Sequence, residues 1–220
     1  LNENNVTIGI RHGICSDLSP AASLITASYT IPFDSISFRQ KALSVLNQVE
    51  EEFGWMFKVE ERGRHHNINF TVWSDVLSCS NCNRELVFWN EAVDLEKEVI
   101  SHDIKCPFCG HVAQKRNMQK HFESYYDSNL EEVQYQNKKV PVLINYTSNG
   151  KRVERSIIPD DVELIKKAEA LKSSCHIIKL KDGYNTSQPI RSNGINYIHQ
   201  FYTQRALIYL NKVYELVKGD

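Results

Sequence analysis

The sequence predicts an α+β chain with helical segments towards both ends and a β-rich centre. Apolar residues recur at three- and four-residue steps in residues 38–53 and again in 201–217, as they do on one face of a helix. Between these segments, Ile68, Phe70 and Val72 alternate with polar residues, which indicates a strand. With 220 residues, of which 41% are hydrophobic, the chain is long enough to bury a sizeable core.

The first elements predicted are the edge of a strand and two helices. Residues 8–15 are partly apolar and end before a polar stretch. Ser19 is expected at the N-cap of the first helix, with Pro20 as its first residue, because proline is well tolerated there. This helix should extend to about residue 29, and the second helix should end at Gly54.

The centre of the chain predicts further strands and a tight hairpin. Residues 86–89 are expected to form a strand next to the first cysteine pair. Residues 141–146 and 153–158 are rich in β-forming side chains and flank Asn149 and Gly150. Because an Asn-Gly pair favours the backbone angles of a two-residue turn, these segments predict a hairpin.

The C-terminal part predicts two helices separated by a loop. Pro159 opens an amphipathic helix in which Val162, Ile165 and Ala168 should face inward. Residues 182–194 are rich in Gly, Asn, Ser and Pro and are expected to form a loop before the last helix.

Charge and hydropathy restrict the compartment and the partners. The formal net charge of -1 gives no overall attraction to nucleic acid, so DNA would need a local basic patch. The sequence has no apolar run of about 20 residues and no signal-peptide pattern, so no membrane contact is expected. The expected location is the cytoplasm.

Four cysteines form two C-x-x-C pairs, Cys79 with Cys82 and Cys106 with Cys109. Two thiolates on such a turn can both reach one zinc ion at about 2.3 Å, and Gly110 allows the positive φ that the turn often needs. Two pairs complete a tetrahedron with no open position, so the predicted zinc is structural. An iron–sulfur cluster, or four buried or redox-active thiols, are the alternatives.

Other side chains near these pairs raise further choices. His102, His111 and His121 lie close enough in sequence to replace a ligand, but a full cysteine set favours surface histidines. Cys15 and Cys175 stand alone, which fits a reducing compartment better than a disulfide framework.

Five basic residues are candidate contacts to the phosphates of DNA. A basic ribbon can follow a phosphate backbone, but the same residues can equally form a solvated charged face. They lie after the second cysteine pair and at the hairpin: Lys115, Arg116, Lys120, Lys151 and Arg152.

The sequence resembles bacterial site-specific DNA methylases that contain a zinc ribbon. The resemblance spans nearly the whole chain and rests on the order of several short segments, each of which is weak alone. In chain order these are residues 17–22, 54–57 and 71–75, the two cysteine pairs, and residues 87–89, 141–146 and 201–205.

The resemblance implies an S-adenosylmethionine-dependent methyltransferase that modifies the exocyclic amino group of a DNA base, adenine rather than cytosine, within a restriction-modification system. Residues 1–58 would belong to its Rossmann-type α/β domain, 59–130 to the zinc ribbon, and 131–188 to a hairpin-plus-helix insertion. A loop and helix, 189–220, would return to the α/β domain. The partners implied are double-stranded DNA and the rest of the methyltransferase chain.

The resemblance assigns Asp17 to the ribose hydroxyls of the cofactor, a role in which a carboxylate accepts two hydrogen bonds. The alternative for Asp17 is a helix-capping residue. The glycine-rich cofactor loop and the acid-Pro-Pro-aromatic motif of these enzymes are missing from this sequence, so no catalytic residue is predicted and this chain alone should be inactive.

Two other functions remain open. The ribbon could be purely structural and touch no DNA, or the chain could be an independent zinc-ribbon module that binds protein or RNA. An independent module should have a closed core, whereas a methyltransferase segment should leave Ile8, Ile10, Leu24 and Ile25 poorly covered.

Overall fold

The computed structural model describes residue 9 and residues 13–218 of the chain. These residues form a mixed α+β structure with antiparallel sheets, which confirms the predicted fold class at that level. The chain divides into two compact units, Leu1–Ser44 and Val45–Asp220. Within the described ranges, no helix has both the length and the apolar character that crossing a membrane requires.

The described residues contain α-helices near both ends and one short helix in the centre. Three short 3₁₀ turns, Gly54–Phe57, Lys115–Asn117 and Ile198–Phe201, connect other elements. The α-helices are α1 (Pro20–Thr30), α2 (Ser35–Phe53), α3 (Phe88–Ala92), α4 (Pro159–Glu169), α5 (Tyr184–Asn193) and α6 (Gln204–Lys218).

The strands lie between α2 and α4, and most of them are short. In chain order they are β1 (Lys58–Glu61), β2 (Arg64–Ser78), β3 (Glu85–Val87), β4 (Val93–Asp94), β5 (Val99–Ile100), β6 (Asp103–Lys105), β7 (Val112–Gln114), β8 (Gln119–Lys120), β9 (Phe122–Asp127), β10 (Glu132–Asn137), β11 (Lys139–Ser148) and β12 (Lys151–Ser156).

Strand β2, 15 residues long, organises the largest sheet. The sheet has the order β1-β2-β11-β12, and β3 and β8 pair with the C-terminal end of β2. The pairs β4–β5, β6–β7 and β9–β10 form separate two-stranded sheets. All the strand pairs found in the described part of the chain are antiparallel, so a Rossmann-type origin of the two ends stays a prediction.

The predicted hairpin is confirmed. Strands β11 and β12 pair from Leu143 to Ser148, where Ser148 faces Lys151. Between them, Asn149 and Gly150 have φ values of 50° and 74°. Positive φ at both central residues matches the right-handed twist of the two strands, which explains the Asn-Gly pair.

The first unit contains the predicted first helix. Helix α1 begins at Pro20, with Ser19 at the N-cap position, as expected. The Ser19 side chain makes no capping bond; instead, the Ser19 N–H donates to Asp17 Oδ1 over 2.8 Å. The predicted strand edge lies partly outside the described residues, and its described part, residue 9 and residues 13–15, has no regular structure.

The prediction of a strand through residues 86–89 is wrong at Phe88 and Trp89, which begin α3. Strand β3 pairs with β2 only as far as Val87, opposite Val76. The backbone then turns, because the Trp89 N–H donates over 2.9 Å to the hydroxyl of the buried Ser74. This tertiary hydrogen bond overrides the β propensity of the two aromatic residues.

The prediction of a loop at residues 182–194 is also wrong, because this segment contains α5. Gly183 precedes the helix, and Gly194 ends it with a left-handed φ of 70°. The Thr186 hydroxyl donates a hydrogen bond to Lys181 O over 2.6 Å. The Ser187 hydroxyl donates to Tyr184 O over 2.9 Å. The residues that suggested a loop therefore define the ends of a short helix.

Gly194→Ala is expected to destabilise the second unit far more than Gly150→Ala. Both glycines have a left-handed φ, so alanine costs about 1 kcal/mol at either position. A Cβ at Gly194 would also collide with the Tyr135 carbonyl oxygen, whereas Gly150 has open space around it. Overpacking adds about 1–3 kcal/mol. Urea unfolding of the two variants measures the difference, and equal losses would contradict the collision.

Candidate metal centre

The first cysteine pair lies on a tight turn at the end of β2. The Cys79 N–H donates to Arg84 O over 3.0 Å, and the Asn83 N–H donates to Cys79 O over 2.9 Å. Asn83 has a positive φ of 57°, which Asn tolerates better than most residues. The turn thereby places Cys79 and Cys82 on the same side of the backbone.

The second cysteine pair lies on the turn between β6 and β7. The Cys106 N–H donates to His111 O over 2.8 Å, and the Gly110 N–H donates to Cys106 O over 3.0 Å. Gly110 has a φ of 73°, as predicted for the residue after the pair. The two turns therefore close in the same way, with a backbone bond across each.

The structure brings the four sulfurs together. They all lie within 4.8 Å of one another. The Sγ atoms of Cys79 and Cys109 are 3.7 Å apart, and so are those of Cys82 and Cys106. A tetrahedral ion bound at 2.3 Å requires neighbouring sulfurs about 3.8 Å apart. The spacing is compatible with a tetrahedral metal site, and it is much longer than a disulfide bond.

Hydrogen bonds to sulfur favour the thiolate at two of the positions. Backbone N–H groups, those of Cys82 and then Asn81, lower the pKa of the Cys79 thiol. The N–H of His111 and the side-chain amide of Asn81 lower the pKa of the Cys109 thiol to about 6. Because metals bind thiolates and not thiols, these donors prepare the site for a cation.

Cys82 shows the opposite balance. The N–H of Arg84 lowers its pKa, but burial and the neighbouring sulfurs of Cys109, Cys79 and Cys106 raise the pKa to about 11. Four thiolates at this spacing repel one another unless a cation lies between them. The arrangement can therefore hold a divalent ion and has no free position for substrate chemistry.

The site belongs to a small hydrophobic core. Cys79 and Cys106 are each only 1% exposed, and Ile104 beside them is fully buried. Cys82 packs against the same cluster, while Cys109 lies at the surface. The rest of this core comes from β2, β3, α3 and the residue before β8, namely Leu77, Leu86, Ala92 and Met118.

The nearby histidines are outside the sulfur cluster. The cluster found among the described residues contains cysteines only. His102 and His111 are exposed. His121 lies between Ser78 Oγ, 3.1 Å from its Nδ1, and Glu85 Oε1, 3.0 Å from its Nε2.

The five predicted DNA-contacting residues fall into two groups. Lys115 Nζ lies 3.3 Å from Asp75 Oδ2 and 3.9 Å from the centre of the Phe88 ring, and Lys120 donates to Asn193 Oδ1 over 2.7 Å. These two lysines help to hold the ribbon. The other three residues are exposed and project from the turn after β7 and from the start of β12: Arg116, Lys151 and Arg152.

Asp17 is exposed, and the only bond that it makes among the described residues is the one to the Ser19 N–H. This is the local role at a helix start that the sequence left open. The assignment of Asp17 to a cofactor stays a prediction.

Two important residues were missed from the sequence. Asn81 donates its side-chain amide to Cys109 Sγ over 3.6 Å, and its position inside a C-x-x-C turn was the available signal. Arg205 is 7% exposed and donates to Met56 O over 3.1 Å and to Thr71 Oγ1 over 2.9 Å. No local pattern predicts an arginine that serves segments so distant in sequence.

In the described part of the chain, the four cysteines are the clearest candidate for a functional site, because their sulfurs could hold a metal ion. No protein-family model matches the chain, and comparisons with curated proteins and with solved structures find no match.

Proposed function

We propose that this chain is the zinc-bearing segment of an S-adenosylmethionine-dependent DNA amino-methyltransferase, with adenine as the favoured base. In this proposal, one structural zinc ion binds Cys79, Cys82, Cys106 and Cys109, and the ribbon helps to hold DNA. The observation that carries the proposal is the tetrahedral spacing of the four sulfurs within a small hydrophobic core.

Zinc is favoured because it prefers four thiolates in a closed tetrahedron and needs no redox partner. Such an ion joins the end of β2 to the β6–β7 turn. It would therefore fix the ribbon on the long strand that also forms the main sheet. In zinc ribbons of this type, metal binding supplies much of the free energy of folding.

Support for the methyltransferase assignment comes from Arg205. The segment 201–205 contains this arginine, 54–57 contains the carbonyl group that it binds, and 71–75 contains the hydroxyl group. Three segments that carry the sequence resemblance thus meet at one buried side chain. We take this meeting of the three segments as support for treating them as parts of one pattern.

Helix α1 also supports a segment of a larger domain. It has no buried residue, and Leu24 and Ile25 are 68% and 59% exposed. Within the first unit these apolar side chains lack cover, as expected if a methyltransferase sheet packs on them. In that domain, the exposed carboxylate of Asp17 would be available to the ribose of the cofactor.

The proposed DNA contacts are Arg116, Lys151 and Arg152. Their side chains are exposed, and none forms an ion pair with another described residue. Lys115 and Lys120 already bind Asp75 and Asn193 within the fold. They would therefore add positive charge near DNA and are not among the proposed direct contacts to phosphate.

The triple variant Arg116→Ala, Lys151→Ala, Arg152→Ala is expected to weaken binding to duplex DNA and to reduce its salt dependence. Each lost phosphate contact lowers the slope of log K against log salt by about 0.9, so we expect a reduction of about 2 to 3. Fluorescence anisotropy of a labelled duplex at several salt concentrations measures this slope.

The matched control removes three positive charges from other exposed positions, Arg62, Lys172 and Lys181. It should leave most of the slope unchanged. Equal slopes for the two triple variants would contradict a local DNA-binding face. They would favour the second candidate function, a ribbon that only stabilises the fold. The contacts that Lys115 and Lys120 make within the fold are consistent with this second function.

A further inference from the structure

The tripeptide Ser-Asn-Gly occurs twice in the chain, at residues 148–150 and at residues 192–194. Asparagine is one of the chemically labile residues of proteins. A following glycine has no Cβ to hinder the approach of its backbone nitrogen to the asparagine side chain. Because the two copies contain the same residues, they should react at nearly equal rates in an unfolded chain. A difference between them in the folded chain is then due to the structure around each copy.

The first copy lies in the open turn between β11 and β12. Asn149 is exposed, and neither its side chain nor the Gly150 N–H has a hydrogen bond within the described part of the chain. Apart from its two chain neighbours, no residue has an atom within 4 Å of the position that a Cβ on Gly150 would take. The Asn149 side chain and the Gly150 nitrogen can therefore move towards each other without breaking a contact.

The second copy ends α5 and is held on both sides of its peptide bond. Asn193 Oδ1 accepts a hydrogen bond from Lys120 Nζ over 2.7 Å. The Gly194 N–H donates to Ile190 O over 3.0 Å. The space beside Gly194 is also filled, since a Cβ there would collide with the Tyr135 carbonyl oxygen. An approach of the Gly194 nitrogen to the Asn193 side chain therefore requires a local opening of the fold.

We infer that Asn149 is a site of spontaneous deamidation and that Asn193 is protected from the same reaction. The Gly150 nitrogen attacks Cγ of Asn149 and forms an N–C bond. The bond from Cγ to the side-chain amide nitrogen breaks, and this nitrogen leaves as ammonia with the proton of the Gly150 N–H. Water then opens the succinimide ring, at Cγ to give aspartate or at the main-chain carbonyl carbon to give isoaspartate. The net reaction consumes one water, releases one ammonia and needs no oxidant or reductant.

The modification places a negative charge next to the proposed DNA-binding face. Asn149 lies in the turn that leads into Lys151 and Arg152, and Ser148 faces Lys151 across the hairpin. A carboxylate in this turn would repel phosphate and offset the charge of one of these cations. Isoaspartate would also lengthen the backbone of a turn that depends on positive φ at both central residues. This consequence rests on the proposed function, whereas the modification itself does not.

Peptide mapping by mass spectrometry tests the inference on the full chain, incubated at mildly alkaline pH, which favours loss of the proton from the attacking nitrogen. In the folded chain, Asn149 should deamidate at least about tenfold faster than Asn193, because the reaction at Asn193 proceeds only through opened states. The same ratio is measured in urea, where it should be near one, and dividing by it removes any effect of flanking residues. Equal corrected rates, or no reaction at Asn149 while the unfolded chain reacts, would overturn the inference.

DNA binding of the modified chain separates this inference from the proposed function. The deamidated chain, purified by anion exchange, and Asn149→Asp should each lower the slope of log K against log salt by about 0.9, the effect of one phosphate contact. Asn149→Gln adds no charge and is the matched control, so its slope should equal that of the unmodified chain. Thermal unfolding of each variant shows that the fold is retained. Confirmed deamidation at Asn149 with an unchanged slope would support the modification site and contradict the proposed DNA-binding face.

Discussion

Cys106→Ser is expected to remove zinc from the chain and to unfold the ribbon core. Cys106 is 1% exposed and packs in the cluster that contains the fully buried Ile104. Serine supplies no thiolate, so the remaining three sulfurs cannot close the tetrahedron. Structural zinc contributes about 10–16 kcal/mol of binding free energy in small ribbons, and this energy is coupled to folding. The core around Ile104 is too small to remain folded without it.

Elemental analysis and hydrogen exchange test this prediction together. The unmodified chain should contain about one zinc ion, and Cys106→Ser less than about 0.1. In the variant, the amides of β6 and β7 should exchange rapidly, while those of the β11–β12 hairpin remain protected. Iron in place of zinc in the unmodified chain would contradict the choice of metal, and full protection of β6 without metal would contradict its structural role.

Cys175→Ser is the matched control, because Cys175 is a partly buried cysteine outside the sulfur cluster. Its zinc content should equal that of the unmodified chain. Loss of zinc from both variants would show that metal content depends on general stability and not on the four-sulfur site.

The cluster of four cysteines could be predicted from the sequence because its geometry is mostly local. Cys79 and Cys82 lie on one turn, and the N–H groups that stabilise their sulfurs belong to residues at most three positions away. Gly110 marks the second turn in the same way, through its positive φ. Only the approach of the two turns to each other depends on the rest of the fold. The presence of two C-x-x-C pairs in the sequence already indicated that the turns would meet.

One of the elements predicted wrongly depends on a distant partner. Trp89 begins a helix because Ser74, on another strand, accepts its N–H. The buried contact between Asp127 and His199, 2.9 Å between Oδ2 and Nε2, likewise joins residues from opposite sides of α4 in the sequence. Propensity and periodicity describe neighbours along the chain, so they contain no information about such contacts.

Arg205→Met is expected to destabilise the second unit by about 2–3 kcal/mol. Methionine keeps much of the apolar length, but it leaves Met56 O and Thr71 Oγ1 without their donor. Each unsatisfied buried acceptor costs about 1–3 kcal/mol. Burial lowers the pKa of Arg205, against the effect of Glu169. Burying this charge therefore costs free energy, and removing the charge offsets part of the destabilisation. The contact of its guanidinium with the Phe57 ring, 5.2 Å from the ring centre, is lost as well.

Urea unfolding with a double-mutant cycle isolates the contact to Thr71. Thr71→Val should cost about 1 kcal/mol less in the Arg205→Met background than in the unmodified chain, because the hydroxyl group then has no donor to lose. Arg191→Met, at an exposed position in α5, is the control and should change stability by less than about 0.5 kcal/mol. If Arg205→Met matches this control, the buried arginine does not hold the three segments together. The methyltransferase assignment then loses this part of its structural support, while the proposed zinc site is unaffected.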